Sequence, residues 1–446
     1  MPQTTEFPKK RTYEMKNFDV IILGAGVGGM CAASLLANKG LKVAVIERCP
    51  SLGGRFSTID RNGYQCAVGG LAVPIGHSME QVCQEISIPS GVKPSTHVAV
   101  WLDGTYYDMK EGGTRRIIRE CAPSDEAEKV IQALNQAMFD QAPSNEITFS
   151  DWLNQYTTNP RIHGMFQATI SSLLTVNSNE LPANEYFKVI KIISPLTFGY
   201  IEGGSIALWE RMRKLIEAAD GEILTQASVT KIHTENEQVA GIGYRQKQQA
   251  YHLSAPLVIS NLGPKATIEK AGKDCFDNDY VSRIDRDMTP TALLWMHFAS
   301  EEQLFDYSAI SFGCTRRINM IDCPSMEASG LTPEGHHLYT VGAAPLNALH
   351  VDDVKAEFGE VMKDLERVIP DFDQRCTVLN RMCYRSKWPG FRTIPGKNVG
   401  HETPIAGLYN VGDAACPNGY AGSMGAAKSA QLVCDDISAQ MNLTAV

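Results

Sequence analysis

The chain has no Cys-x-x-Cys pair, no apolar run long enough to cross a bilayer and no excess of positive charge. Its twelve cysteines are scattered singly from Cys31 to Cys434, so neither a redox dithiol nor a thiolate metal site is indicated. They read as buried free thiols in a reducing, cytoplasmic setting. A formal charge of −9 offers no basic face to nucleic acid and no net pull toward anionic lipid. The first 18 residues mix Lys9, Lys10 and Arg11 with Glu6 and Glu14, lack a hydrophobic signal core and are expected to form a loose tail. With 446 residues, 43% apolar and 20% charged, the remainder reads as an ordinary soluble globular chain of two or three domains.

What is present begins at Asp19. Residues 20–23 are a short unbroken apolar run suited to a strand buried on both faces, and residues 32–37 have the small side chains of a helix lying close to a sheet. Between them Gly24, Gly26 and Gly29 spell G-x-G-x-x-G, with Gly28 alongside. The first glycine permits the turn, the second lets a pyrophosphate approach the backbone, and the third brings helix and strand together. A second apolar strand over 43–46 ends in Glu47-Arg48, where an acid that grips an adenosine ribose is expected. Nothing in the sequence repeats this fingerprint. Gly241-x-Gly243 lacks the third glycine and a following helix, so it reads as part of a hairpin.

Paired glycines and an arginine follow, Gly53-Gly54-Arg55, and then Gly69-Gly70. On these residues the chain resembles the FAD-dependent amine oxidases and the phytoene desaturase-like oxidoreductases, which include carotenoid isomerases and retinol saturase-like enzymes. In that family an acid and Gly-Gly-Arg follow the fingerprint, and the arginine runs along the cofactor. The chain departs from the family at Ala67, where an acid is common two residues before the later glycine. A pyridine-nucleotide disulfide reductase would carry a second fingerprint and a dithiol, and this chain has neither.

Residues 81–199 change character. A hairpin is expected around Asp103-Gly104, and helices over 125–138, 148–156 and 165–176, the first with Ser124 as its cap. The apolar helix over 167–176 suits core packing, with a peripheral membrane contact or a greasy substrate as the alternative. The chain then returns through Gly203-Gly204, an amphipathic helix and a small sheet to Ser260-Asn261. The resemblance implies that the segment around Val229 lies against the adenine half of FAD. In the second half of the substrate region, residues 291–298 read as a strong strand with Trp295 and His297 on one face. His297 is a candidate proton carrier.

The last segment carries Trp388, then Gly412-Asp413, Tyr420, Gly422, Ser423-Met424-Gly425 and Lys428. A strand ending in Gly-Asp suits the carboxyl edge of a parallel sheet, where Asp413 can accept hydrogen bonds from ribityl hydroxyls or backbone amides. The helix that follows directs its N-terminus toward the flavin's pyrimidine side. The Met424–Lys428 run is closer to phytoene desaturases and carotenoid isomerases than to amine oxidases. Monoamine oxidases have an aromatic at the position matching Gly422.

The expected architecture is α/β: a Rossmann-like FAD-binding domain, a parallel sheet with ββα units, from residues 19–80, 200–265 and 385–446. An α+β substrate-binding domain, from 81–199 and 266–384, is interleaved with it. The cofactor contacts are Gly24, Gly26, Gly28, Gly29, Glu47, Arg48, Gly54, Arg55, Val229, Gly412, Asp413, Ser423 and Met424. No metal is expected, and Trp388, Tyr420 and His297 are the catalytic candidates. The expected reaction is a two-electron dehydrogenation of a fairly apolar small molecule, with oxygen or a quinone or carrier taking the electrons. An amine or amino-acid oxidase, a redox-neutral flavin isomerase and a non-catalytic prenyl-binding escort protein are the alternatives. No nucleic-acid partner is expected, and the oligomeric state stays open.

Overall fold

A computed structural model describes residues 16–442. At its centre five parallel strands run in the order Glu222–Leu224, Val43–Ile46, Val20–Leu23, Leu257–Ser260 and Leu408–Asn410. Val20–Leu23 and Val43–Ile46 are buried along their whole length, which is why they read as apolar runs and not as alternations. Val20, Ile22, Val43 and Val45 point to one face, into a core made with the helices Val27–Asn38, Ser205–Ala218 and Gly422–Met441. Ala32 and Ala33 on the first helix and Ala427 and Ala430 on the last keep these elements close. Each large apolar side chain fully buried here stabilises the fold by about 1.5–3 kcal/mol.

Ile21, Leu23, Ala44 and Ile46 point to the opposite face. There they meet an antiparallel meander of Ala227–Glu235, Gln238–Gln246 and Gln249–Ser254. Gly241 and Gly243 lie inside its middle strand. The helices Pro264–Ala271 and Asn278–Asp287 join the same core, so residues up to Met288 pack with the dinucleotide half, beyond the division placed after residue 265. The expected tail also ends early. Residues 1–15 lie outside the described residues, but Lys16–Asn17 pair in parallel with the meander's edge and Phe18 is buried.

The second half is built on a seven-stranded sheet. Its order is Thr377–Tyr384, Leu293–Ser300, His337–Ala343, Ile318–Asp322, Ala309–Gly313, Val98–Leu102 and Thr105–Asp108. The expected hairpin at Asp103-Gly104 therefore forms the far edge of the sheet that the later residues build, joined by the parallel pair Ala309–Gly313 and Val98–Leu102. One face packs Leu294, Met296 and Phe298 against the helix Val354–Val368. The other carries Leu293, Trp295 and Tyr384 and meets Ala67 from the dinucleotide half. Helices Ser124–Phe139, Phe149–Leu153, Pro160–Leu174 and Ala183–Ile193 complete this half.

The apolar stretch over 167–176 lies mostly in the helix Pro160–Leu174, whose Ile162, Met165, Phe166, Ile170 and Leu174 are buried in the helical core. Ser124 does not cap its helix. Pro123 holds the cap position at φ −54°, a backbone angle its ring already fixes, and Ser124 becomes the first helical residue. No helix of the described residues is long and apolar enough to cross a membrane.

Candidate functional site

The strand Val20–Leu23 ends at Gly24, whose N–H donates to the Ile46 carbonyl at 2.8 Å, and the chain turns at once into the helix Val27–Asn38. The turn is so tight that a Cβ on Gly29 would lie 2.0 Å from the Gly24 oxygen. A Cβ on Gly26 would strike Asn261 Nδ2 at 2.5 Å. Gly26 is the cap of this helix, and among the described residues no side chain caps it. The first amides therefore keep their donor capacity at the positive end of the helix, which suits an anion.

Glu47, 8% exposed, ties this loop to the next one. Its Oε2 accepts from Ala25 N at 2.7 Å and its Oε1 from Cys49 N at 2.6 Å. A carboxylate oxygen has two lone pairs, so each retains acceptor capacity of the kind a ribose diol would use. Gly53 N donates to Ala25 O at 2.7 Å and lays the Gly53–Arg55 segment beside the fingerprint. Val229 lies half-buried on the strand Ala227–Glu235, which is anchored here by the bond from Ala227 N to Glu47 O at 2.8 Å.

Arg55 crosses to the last segment of the chain. Its Nη2 meets Asp413 Oδ1 at 2.7 Å, and its Nη1 donates to the Gly390 carbonyl and, at 3.3 Å, to that of Pro389. Asp413 Oδ2 accepts from Arg392 N at 2.9 Å. Burial pushes the Asp413 carboxyl up, but Arg55 first and Arg392 after it outweigh that, and the group is held below its ordinary value. Burial, reinforced by Arg55 and Arg48 against the pull of Asp413, presses Arg392 down to about 10, so it stays charged near neutrality. Arg48 lies 6.0 Å from the Trp388 ring centre. Two guanidiniums thus face one carboxylate, with the exposed Arg48 acting on Arg392, and the net positive charge suits an anionic diphosphate.

Gly412 N donates to Ser429 Oγ at 2.9 Å, which fixes the Gly-Asp turn against the last helix. Ser423 and Met424 lie in the first turn of that helix, Gly422–Met441. The Met424 side chain packs away into the helical core beside Phe391 and Tyr420, so its contribution to an anion site comes from the backbone.

The three catalytic candidates separate. Trp388 packs with Ala67, Leu293, Trp295, Met320 and Tyr384, and the Trp295 Nε1 donates to Ala67 O at 3.0 Å. His297 sits one pleat further along the same sheet face, with its ring 6.2 Å from that of Trp295. Tyr420 belongs to the helical core instead, 5.7 Å from His77. Burial lowers His297 to about 4, so its imidazole is neutral near pH 7. Its Nδ1 pairs with Asn380 Oδ1 at 2.8 Å, which assigns the proton to Nδ1, and its Nε2 has no partner among the described residues.

Sequence reasoning passed over Asn261, Arg392 and the neighbours that surround Trp295 on its sheet face. Asn261 was the most accessible of them, because it follows directly on a parallel strand, Leu257–Ser260, at the edge where ligands collect. Arg392 carries no local signal. A cavity of about 440 Å³ lined by His163, Gln167, Asn177 and Asn319 contains none of the cofactor residues.

The chain matches the family of flavin containing amine oxidoreductases over residues 27–438. An oxidoreductase from Methanosarcina mazei superposes with a TM-score of 0.83 at 25% identity, over 94% of this chain and 100% of that one. An uncharacterized protein of Methanocaldococcus jannaschii is 24% identical over 88% of this chain and 93% of its own length. An all-trans-retinol 13,14-reductase of Danio rerio is 24% identical over 57% of this chain, a match that spans 49% of that enzyme. The anion-binding helix start, the Glu47 acceptors and the arginine group fit the cofactor of this family, and the chain belongs to it as an FAD-dependent oxidoreductase.

Proposed function

We propose that the chain carries out a two-electron dehydrogenation of an apolar small molecule, forming a carbon–carbon double bond. The observation that supports this most is the sheet face beside Arg55. It presents Leu293, Trp295, Met320, Met382 and Tyr384, closed by Val68, Leu71 and Trp388, a setting matched to hydrocarbon. Bound FAD supplies the hydride acceptor at its N5. The chain's own part is to fix the cofactor through Glu47 and the Arg55–Asp413 pair, and to keep water from the reacting carbon with Trp295 and its neighbours. The names of two relatives, a retinol 13,14-reductase and a prolycopene isomerase, support the apolar class of substrate, while one names a reduction and the other an isomerisation. The chain spans about half the length of each, so their activities come here only as part of the proposal.

Amine oxidation is the second reading, favoured by the family's description. Against it, Trp388 and Tyr420 belong to separate packing groups, and Gly422 offers no aromatic ring. Anaerobic mixing of the FAD-loaded protein with a panel of apolar polyenes and of primary amines decides between them. Loss of the oxidised flavin band with a polyene supports the desaturation reading, and bleaching only with amines, followed by peroxide on re-aeration, overturns it. The rate of reoxidation by air against a quinone then separates the two proposed electron acceptors.

A further inference from the structure

The cavity of about 440 Å³ beside the helix Pro160–Leu174 is of the size that holds small molecules, and it lies outside the cofactor cradle. Its walls come from that helix, from the turn between the strands Ala309–Gly313 and Ile318–Asp322, and from the loop after His337–Ala343. Leu346, 74% exposed, stands at its rim. Several polar groups of the walls are already paired. Gln167 Nε2 donates to Asn177 Oδ1 at 2.6 Å, Ser178 N donates to Gln167 Oε1 at 2.8 Å, and Asn177 Nδ2 donates to Pro345 O at 3.1 Å. Arg316 pairs with Glu360 and Arg317 with Glu357, both acids on the helix Val354–Val368.

Asn319 is the exception. It lines the cavity, is only 2% exposed, and neither atom of its side-chain amide has a partner among the described residues. The sheet register explains its position. Ile318 stands opposite Ala343 and Met320 opposite Gly342, so the strand carries one extra residue there, a bulge at Asn319. Consecutive residues of a regular strand face opposite ways, whereas here Asn319 and Met320 come to the same side. A Cβ on Gly342 would lie 2.7 Å from Met320 Cγ and 3.1 Å from Asn319 Oδ1, so the bare glycine is what admits both side chains. Gly342 also stands directly opposite Trp295. The Asn319 amide therefore shares a face with Trp295 at a distance of two strand spacings, about 10 Å. Met320, beside it, packs in the apolar group of Trp295 and Trp388.

We infer that this cavity binds the polar end of the substrate through Asn319, and that the apolar body of the molecule runs from there over Met320 to Trp295. The end is an uncharged group that presents a hydrogen-bond donor and an acceptor side by side, as a carboxamide does. The inference rests on the proposed dehydrogenation of an apolar molecule and adds where its polar end lies. Asn319 offers an acceptor oxygen and a donor NH2, and a carboxamide can give to the first and take from the second at once. A cationic end would find no acid among the described residues that line the cavity. An anionic end would meet two arginines that already have carboxylate partners and would leave the Asn319 oxygen without a donor.

A buried amide without partners weakens the fold that carries it, and it discriminates strongly between ligands, because an analogue that lacks the matching group leaves the same atoms unpaired. Asn319→Leu keeps the approximate shape of the side chain and removes no hydrogen bond to the described residues. It should therefore melt at the same temperature as the wild type or higher, while losing the ligand. A structural amide would behave in the opposite way, and its loss would lower the melting temperature.

The test is calorimetric titration of the FAD-loaded protein, without turnover, with octanamide, N,N-dimethyloctanamide and octanoate. Octanamide should bind the wild type about tenfold more tightly than the other two, or better, and Asn319→Leu should abolish that preference. Affinity should also rise from butanamide to octanamide, and rise less in Met320→Ala. No binding of octanamide, equal binding of the three probes, a preference for octanoate, or a preference that survives Asn319→Leu overturns the inference. A gain with chain length that Met320→Ala leaves untouched overturns the path given to the apolar body. The probe series on the wild type decides the matter even where a variant does not fold. Since no oxidation is read, failure of the dehydrogenation reading would show as flavin left unbleached by polyenes and not here.

Discussion

In the dinucleotide half the candidate site is assembled from backbone groups and glycines at strand ends, whereas the face of the seven-stranded sheet is assembled from side chains on strands far apart in sequence. Glu47 reaches Ala25 and Cys49, close neighbours across one turn. His297 meets Asn380 and lies opposite Thr340, which in turn lies opposite Asp322, and Tyr200 from the first half of the chain donates to the Ser308 carbonyl. A backbone cradle dictates residue type at fixed spacing, because only glycine leaves room for the turn. A side-chain face can be built from many residue types at many spacings, provided the sheet register brings them together.

The sharpest way to break the first side of this comparison is Gly29→Ala. A Cβ 2.0 Å from the Gly24 oxygen cannot be accommodated without moving the turn. The variant should purify without flavin and lose on the order of 3 kcal/mol of stability in a urea titration.

On the other side, Asp322→Asn should change the pH dependence of stability. A carboxyl whose folded value is raised to about 7 destabilises the fold progressively as pH climbs from its ordinary value toward 7, since the unfolded chain ionises first. The asparagine variant should gain up to about 4 kcal/mol on the wild type between pH 4 and pH 7, measured by denaturation at both. Parallel curves would mean that the acid is not held neutral.

Arg55→Ala should cost about 2–3 kcal/mol at pH 7, less than for a fully enclosed pair because Arg55 is 22% exposed and Arg392 still attends Asp413. The Asp413 carboxyl is lowered in the fold, so this stabilisation is complete above its ordinary value and fades as pH falls through the folded value. The gap between wild type and variant should therefore close in acid. Arg48→Ala touches the exposed margin, where the guanidinium lies over Trp388, and should weaken FAD binding by only about two- to fivefold, or about 0.5–1 kcal/mol.

The same contrast explains how much could be read in advance. The strands Val20–Leu23 and Val43–Ile46, the fingerprint turn and the placement of Glu47, Arg55 and Asp413 around one site were legible, because each is set by local spacing and burial on both faces. Arg392 was not, since its role depends on a chain crossing that carries it beside Arg55 and Arg48. The face expectation for Trp295 and His297 followed from the two-residue period of a strand, but their neighbours did not. Nothing local announces that residue 322 will stand beside residue 340. Trp388 and Tyr420, both expected near the flavin ring, pack against different groups, Tyr420 half-buried against the helical core.

The most direct measurement of the account is the flavin content of the purified chain, from its visible absorption after denaturation, for the wild type and Gly29→Ala side by side. The account predicts one FAD per wild-type chain and none in the variant. A colourless wild-type protein that cannot be reconstituted with FAD, or a variant that binds it as well as the wild type, would contradict the assignment of the Gly24–Asp413 cradle as the cofactor site.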